Sequence, residues 1–146
     1  MGMVMSNDRK WDLRFLDMAK VVAGWSKDPS TKTGAVIVDP WNRIISTGYN
    51  GFPQRIKDDD RLNVREVKYE MIVHCEVNAL IFARGDIQGC ALYTWPFMCC
   101  SRCAAIMIQA GIRRHVAPLN PDPRWEKSFE LSTQLFSEAN VGLVLL

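Results

Sequence analysis

Beyond residue 33, short apolar runs rich in β-branched residues alternate with segments of helical period, and this alternation limits the chain to few folds. Extended runs are expected at 34–39, 44–49, 90–95, 113–117 and 141–145, and helices at 11–25, 73–83, 100–110 and 125–139. In the first helix Trp11, Phe15, Met18, Ala19 and Val22 recur at helical spacing, and Gly111 stands where the third should close at its C′ position. Pro40-Trp41-Asn42-Arg43 joins the first two runs as a hairpin. The order αββαβαβαβ predicts antiparallel pairing in the hairpin and parallel pairing across the later helices. The expected fold is a three-layer α/β/α sandwich with a mixed five-stranded sheet. No repeat or linker divides the chain, so residues 1–146 are expected to form one domain. Residues 54–70 are heavily charged and without a clean period. They read as a long surface excursion, which favours a functional loop or a partner contact. Residues 1–10 read as a frayed or adapting arm and not as a signal peptide.

The chemistry-bearing residues gather at two predicted helix starts. His74 and Glu76 open one helix, and Cys100 and Cys103 open the next. Cysteines at i and i+3 on a first helical turn share a face, and the unpaired N–H groups and positive dipole end there favour thiolates. One His and two Cys leave a zinc ion with an open fourth position, which is the catalytic arrangement. Water in that position, its pKa lowered to about 7, becomes a hydroxide nucleophile. Alone, His74 would more often be a satisfied core histidine, and a C-x-x-C could be two buried small hydrophobes. Together, H-x-E and C-x-x-C at successive helix starts form the arrangement used by zinc-dependent nucleobase deaminases. Glu76 then acts separately from the ligands. In that arrangement, beside the zinc water and off the metal, it would move the water proton to ring N3 and on to the leaving amine. The bland alternative is a first-turn Glu complementing the helix dipole. Five Cys with three inside 99–103 suit a reduced metal site better than a disulfide framework, which places the chain in a reducing cytoplasm.

Several functions are disfavoured. The net charge is +2, with no basic stripe of the kind a nucleic-acid binder carries, so no nucleic-acid partner is expected. No apolar run approaches the length of a membrane span.

On these residues the chain resembles the cytidine/deoxycytidylate deaminase superfamily, and within it the deoxycytidylate branch. The likeness is carried by Trp25-Ser26-Lys27-Asp28-Pro29-Ser30-Thr31-Lys32 followed by Gly34-Ala35-Val36-Ile37-Val38, by Gly48-Tyr49-Asn50-Gly51-Phe52-Pro53, His74-Cys75-Glu76-Val77-Asn78-Ala79, Cys100-Ser101-Arg102-Cys103-Ala104 and Ile108-Gln109-Ala110-Gly111-Ile112. It implies zinc held by His74, Cys100 and Cys103, proton transfer by Glu76, and hydrolysis of dCMP to dUMP and ammonia by attack of zinc hydroxide on C4. Asn50 would reach the sugar and base, with a plain Asn-Gly turn as its bland alternative. Ser26 and Lys27 would contact the phosphate, although a lone Lys is ordinarily a solvated surface residue, and the alternative contacts are Arg or Lys residues in the 51–70 excursion. The resemblance also implies a homo-oligomer, hexamer or dimer, and a possible deoxynucleoside triphosphate effector.

Three departures from the family pattern bear on the site. Cys99 replaces the usual Pro before the first ligand Cys, and Cys99 with Cys103, at i and i+4, could also share a face. Ala104, in its usual place after Cys103, favours the i, i+3 pair. Residues 51–73 hold no Cys or His, so a second, structural zinc is not expected. The aromatic that often flanks the substrate after the fourth strand is missing from 115–120, and the nearest is Trp125. Other readings are a deaminase of free cytidine, deoxycytidine, guanine or an RNA base, or a non-catalytic zinc-binding interaction protein on the same scaffold.

Overall fold

β-Branched residues concentrate where both faces of a strand are covered, and in the computed structural model, which describes residues 5–146 with side chains from residue 8, that place is an inner strand beside the centre of the sheet. β1 (Gly34–Val38) is buried at all five positions. It pairs antiparallel with β2 (Ile44–Tyr49) and with β3 (Ala91–Trp95); β4 (Arg114–Ala117) and β5 (Gly142–Leu145) then add in parallel, in the order β2-β1-β3-β4-β5. The mixed five-stranded sheet is the expected one.

The pleat divides β1 between two cores. Val36 and Val38 face α1 (Met5–Ala23), whose Phe15, Leu16, Ala19 and Val22 cover one side of the sheet. Ala35 and Ile37 face the opposite layer, where Cys75, Ala79, Met107 and Phe136 belong to α3 (Cys75–Phe82), α4 (Ser101–Ala110) and α5 (Glu126–Glu138). The result is a three-layer α/β/α sandwich. Asp12 locks α1 to the sheet: it accepts the Tyr93 hydroxyl at 2.7 Å and both ends of the Arg114 guanidinium at 2.7 and 2.6 Å. Two glycines permit close contact of layers. A Cβ on Gly34 would stand 2.3 Å from the Ala19 carbonyl, and one on Gly48 would stand 2.4 Å from the Ala79 nitrogen. Gly48 thereby lets α3 settle directly on β2.

Two expectations need correction. Residues 5–10, read as part of a frayed arm, are the first turns of α1; residues 1–4 lie outside those described. The charged excursion is not structureless: it contains a 3-10 turn, Asp60–Asn63, and α2 (Arg65–Met71). The one buried side chain of α2 is Lys68, so the helix has no apolar stripe for a periodicity argument to find. Among the described residues no helix is long and apolar enough to cross a membrane.

Candidate active site

Two helix N-termini meet at one end of the sheet. His74 is the extended residue capping α3, and Cys100, equally extended, caps α4 at the end of the segment that follows β3. Residues just outside a helix project their side chains beyond the first turn, where the N–H groups of that turn lack partners. His74 and Cys100 are thereby directed at each other, with Cys103 entering from within α4.

His74 Nδ1 lies 3.3 Å from Cys103 Sγ and 3.6 Å from Cys100 Sγ, and the three donor atoms all fall within 4.8 Å of one another. Zn–N and Zn–S bonds meeting at a tetrahedral angle require N and S about 3.6 Å apart. Donor type and spacing both fit zinc. The Cys103 thiol, by bonding to Cys100 Sγ, does most to pull the Cys100 pKa down, to about 4, and His74 assists. Cys103 moves in the opposite direction because it holds the shared proton and is buried. A metal ion displaces such a proton, so one thiolate is already prepared and the second forms on binding.

Glu76 is buried in the first turn of α3, where burial pushes its carboxyl pKa up against the opposing pull of His74. The Cys75 thiol donates to its Oε1 at 3.1 Å. Glu76 lines the same cavity as His74 and Cys100 but is not one of the three donors. A carboxyl so placed, with its pKa raised by burial, is suited to taking up and releasing a proton.

The structure also separates the neighbouring cysteines. Cys99 packs in the core, while its amide N–H donates to His115 Nε2 at 3.1 Å and its carbonyl accepts the Ser132 hydroxyl at 3.0 Å. His115 is fully buried and its Nδ1 lies 2.8 Å from the Leu92 carbonyl oxygen, which makes it the donor there; Nε2 is left as acceptor, and burial depresses the ring pKa to about 4. This neutral imidazole holds the segment entering α4 in the register that turns Cys99 inward and Cys100 outward. Nothing in the sequence around His115 announces that role, because a single His on a strand has no pattern.

The cavity over these groups measures about 340 Å³, within the range of small-molecule sites. Phe97 and Phe129 meet along its wall at 5.6 Å between ring centroids, and Tyr69 and Trp125 approach to 6.5 Å. Lys68, Arg102 and Arg124 are its cations. Sequence reasoning did not single out these three or Tyr69; the only signals were the Arg and Lys residues of 51–70 as alternative phosphate contacts, which include Lys68, and Trp125 as the nearest aromatic after β4.

Ser26, Lys27 and Asn50 are not brought to the cavity wall. The Ser26 hydroxyl donates to the Asn50 carbonyl at 2.8 Å. The Asn50 amide donates to Asp28 Oδ2 at 3.3 Å and to the Thr31 carbonyl at 2.9 Å, and its Oδ1 accepts the Thr33 N–H at 2.9 Å. Both side chains are buried and serve to join the turn after α1 to the end of β2. Lys27 is exposed and points to Asp58, 3.4 Å away.

The chain matches the family described as the cytidine and deoxycytidylate deaminase zinc-binding region over residues 9–118. It is 41% identical to an uncharacterized deaminase in the luxG 3′ region of Aliivibrio fischeri over 140 residues, which cover 94% of each chain. It is 37% identical to a probable deoxycytidylate deaminase of Caenorhabditis elegans over 141 residues, 93% of this chain and 70% of the relative. Its fold is shared with a dCMP deaminase from the cyanophage S-TIM5, with a TM-score of 0.75 at 18% identity, covering 94% of this chain and 98% of that one.

Proposed function

The chain belongs to the cytidine and deoxycytidylate deaminase family, and from that premise we propose that it hydrolyses dCMP to dUMP and ammonia. The observation that carries the reading is the convergence of His74, Cys100 and Cys103 beside a buried carboxyl that is not one of the donors. A scaffold that used metal for structure alone would have no use for that carboxyl.

His74 Nδ1 and the Cys100 and Cys103 sulfurs would hold zinc, which when bound supplies a Lewis acid that lowers the pKa of a water to about 7. Glu76 takes a proton from the water that adds to C4 and delivers it to ring N3. The second water proton follows the same route to the exocyclic nitrogen as the C4–N4 bond breaks, so that ammonia departs and the C4 oxygen remains as the uracil carbonyl. Burial suits Glu76 to this work, because a raised pKa brings proton capture and release closer together. Phe97 and Phe129 supply an apolar wall against which a pyrimidine can pack while solvent is kept away.

A homo-oligomer belongs to the same reading. Trp25 and Tyr49 meet edge to face and remain exposed, as do Ile81 and Phe82 on α3, beside β2; a second copy would cover such an apolar surface.

The test is ammonia release from a panel of dCMP, CMP, deoxycytidine, cytidine, guanine and single-stranded oligonucleotide. The expected result is the highest kcat/KM on dCMP. Release from guanine or oligonucleotide in preference to every cytosine compound would overturn the assignment.

A further inference from the structure

The Glu76 carboxylate is held at one oxygen. Apart from its own backbone N–H, the Cys75 thiol is the one donor to it among the described residues, 3.1 Å from Oε1. Oε2 has no side-chain partner, and the residue borders the cavity that His74 and Cys100 also line. A glutamate turns about several side-chain bonds, so its carboxylate must be given an orientation before it can meet a water at a fixed point. We propose that Cys75 is a positioning residue of this enzyme: its thiol holds Oε1, so that Oε2 is the oxygen that takes the proton from the attacking water. The proposal rests on the deaminase reading above and adds what aims the proton carrier.

The sulfur is itself fixed. Cys75 opens α3 on a short side chain, is 1% exposed, and packs in the core with Ala35, Ile37 and Ala79. Its backbone is fixed as well: a Cβ on Gly48 would stand 2.6 Å from the Cys75 carbonyl oxygen, so β2 lies directly against that turn. Neighbouring residues on a helix point about 100° apart, which lets Cys75 enter the core while Glu76 faces the cavity. The bond between them crosses that boundary and ties a mobile kind of side chain to the rigid layer behind it. A thiol in apolar surroundings stays protonated, so it serves the carboxylate as a donor and adds no competing charge.

Packing alone does not account for the residue. Free cysteine often serves as a small hydrophobe, and any small apolar side chain would fill that part. Such a side chain would leave Glu76 Oε1 without the one side-chain donor it has. The two accounts rank substitutions in opposite order. Cys75→Ala keeps an apolar group and removes the donor, whereas Cys75→Ser keeps a donor and places a hydroxyl in the core.

The experiment measures kcat and KM on dCMP for zinc-loaded wild type, Cys75→Ala and Cys75→Ser, each scaled to its zinc content and accompanied by a thermal melt. One hydrogen bond corresponds to roughly threefold to tenfold, so Cys75→Ala should lose about that factor in kcat while KM stays within about twofold. Cys75→Ser should melt lower than Cys75→Ala and yet turn over faster, because a buried hydroxyl costs stability but still donates. Infrared spectra supply a readout that needs no turnover. One S–H stretch should shift to higher frequency between wild type and Glu76→Gln, since a neutral amide accepts more weakly than a carboxylate, and that band should be the one absent from Cys75→Ala. An unshifted band, wild-type kcat in Cys75→Ala, or Cys75→Ser no faster than Cys75→Ala overturns the role. Absence of ammonia from wild type on every substrate of the panel overturns the deaminase reading instead, while the infrared shift still reports the contact.

Discussion

Replacing Glu76 by Gln isolates proton transfer from everything else at the site. The amide keeps the size of the carboxylate and can still accept the Cys75 thiol through its oxygen, which lies 3.1 Å away in the native pair. It cannot take a proton from water. General acid–base groups contribute roughly 10²–10⁴-fold, so the barrier should rise by about 2.7–5.4 kcal/mol. Zinc content should hold near wild type, since the three donors lie within 4.8 Å of one another without Glu76. Stability has a defined sign as well. Burial raises the folded pKa of Glu76, so above that pKa the folded state carries a carboxylate that the unfolded chain accommodates more easily; a neutral amide removes that cost. The variant should melt at the wild-type temperature or higher. Ammonia release, elemental analysis and a thermal melt read the three quantities on one preparation. Activity within tenfold of wild type would refute Glu76 as the proton carrier, and loss of zinc would show that it belongs to the metal shell.

Other outcomes follow from particular contacts. Elemental analysis should find about one zinc per chain in wild type and in Cys99→Ala, and little in Cys100→Ala; the reverse pattern would reassign the ligand register, because Cys99 faces the core. Gly48→Ala sets a Cβ 2.4 Å from the Ala79 nitrogen and 2.6 Å from the Cys75 carbonyl, so α3 must move. A loss of about 1–3 kcal/mol in denaturant titration, with reduced activity, is expected, and an unchanged midpoint would contradict that packing. His115 has a folded pKa of about 4 against 6.5 when unfolded, so the unfolded chain binds the proton first and stability falls as pH drops through that window. The contribution lost between pH 7 and pH 5 is about 2 kcal/mol. His115→Gln should show a shallower decline in stability over the same range; identical slopes would remove His115 as the cause.

The candidate site was legible from sequence because its spacing is local. Two residues separate Cys100 from Cys103, one separates His74 from Glu76, and both pairs sit where a helix must begin. The sheet was legible for a related reason. Its strands are short runs whose alternate residues enter opposite cores, as Ala35 and Ile37 do against Val36 and Val38, so burial leaves a mark in composition. α2 left no such mark, since Lys68 is its one buried side chain and its anchor is an ion pair with Asp28, forty positions away.

Polar contacts between distant segments are what the chain order alone could not supply. Asn50 and Ser26 carried the right residue types for a substrate contact, yet their hydrogen bonds close on each other's turns. His115 looked like an ordinary strand residue until its ring was found between Leu92 and Cys99. Arg65 and Arg124 lie nearly sixty residues apart and border one chamber only because α2 and the segment before α5 converge in the fold. Local sequence thus determined most of the secondary structure, the sheet and the candidate donor set, since each depends on periodicity or on spacing within one turn. The tertiary structure decided which polar groups are consumed by the scaffold and which are left for a ligand. That division depends on where side chains of different segments meet, and hydrogen bonds over such separations leave no periodic trace in the chain.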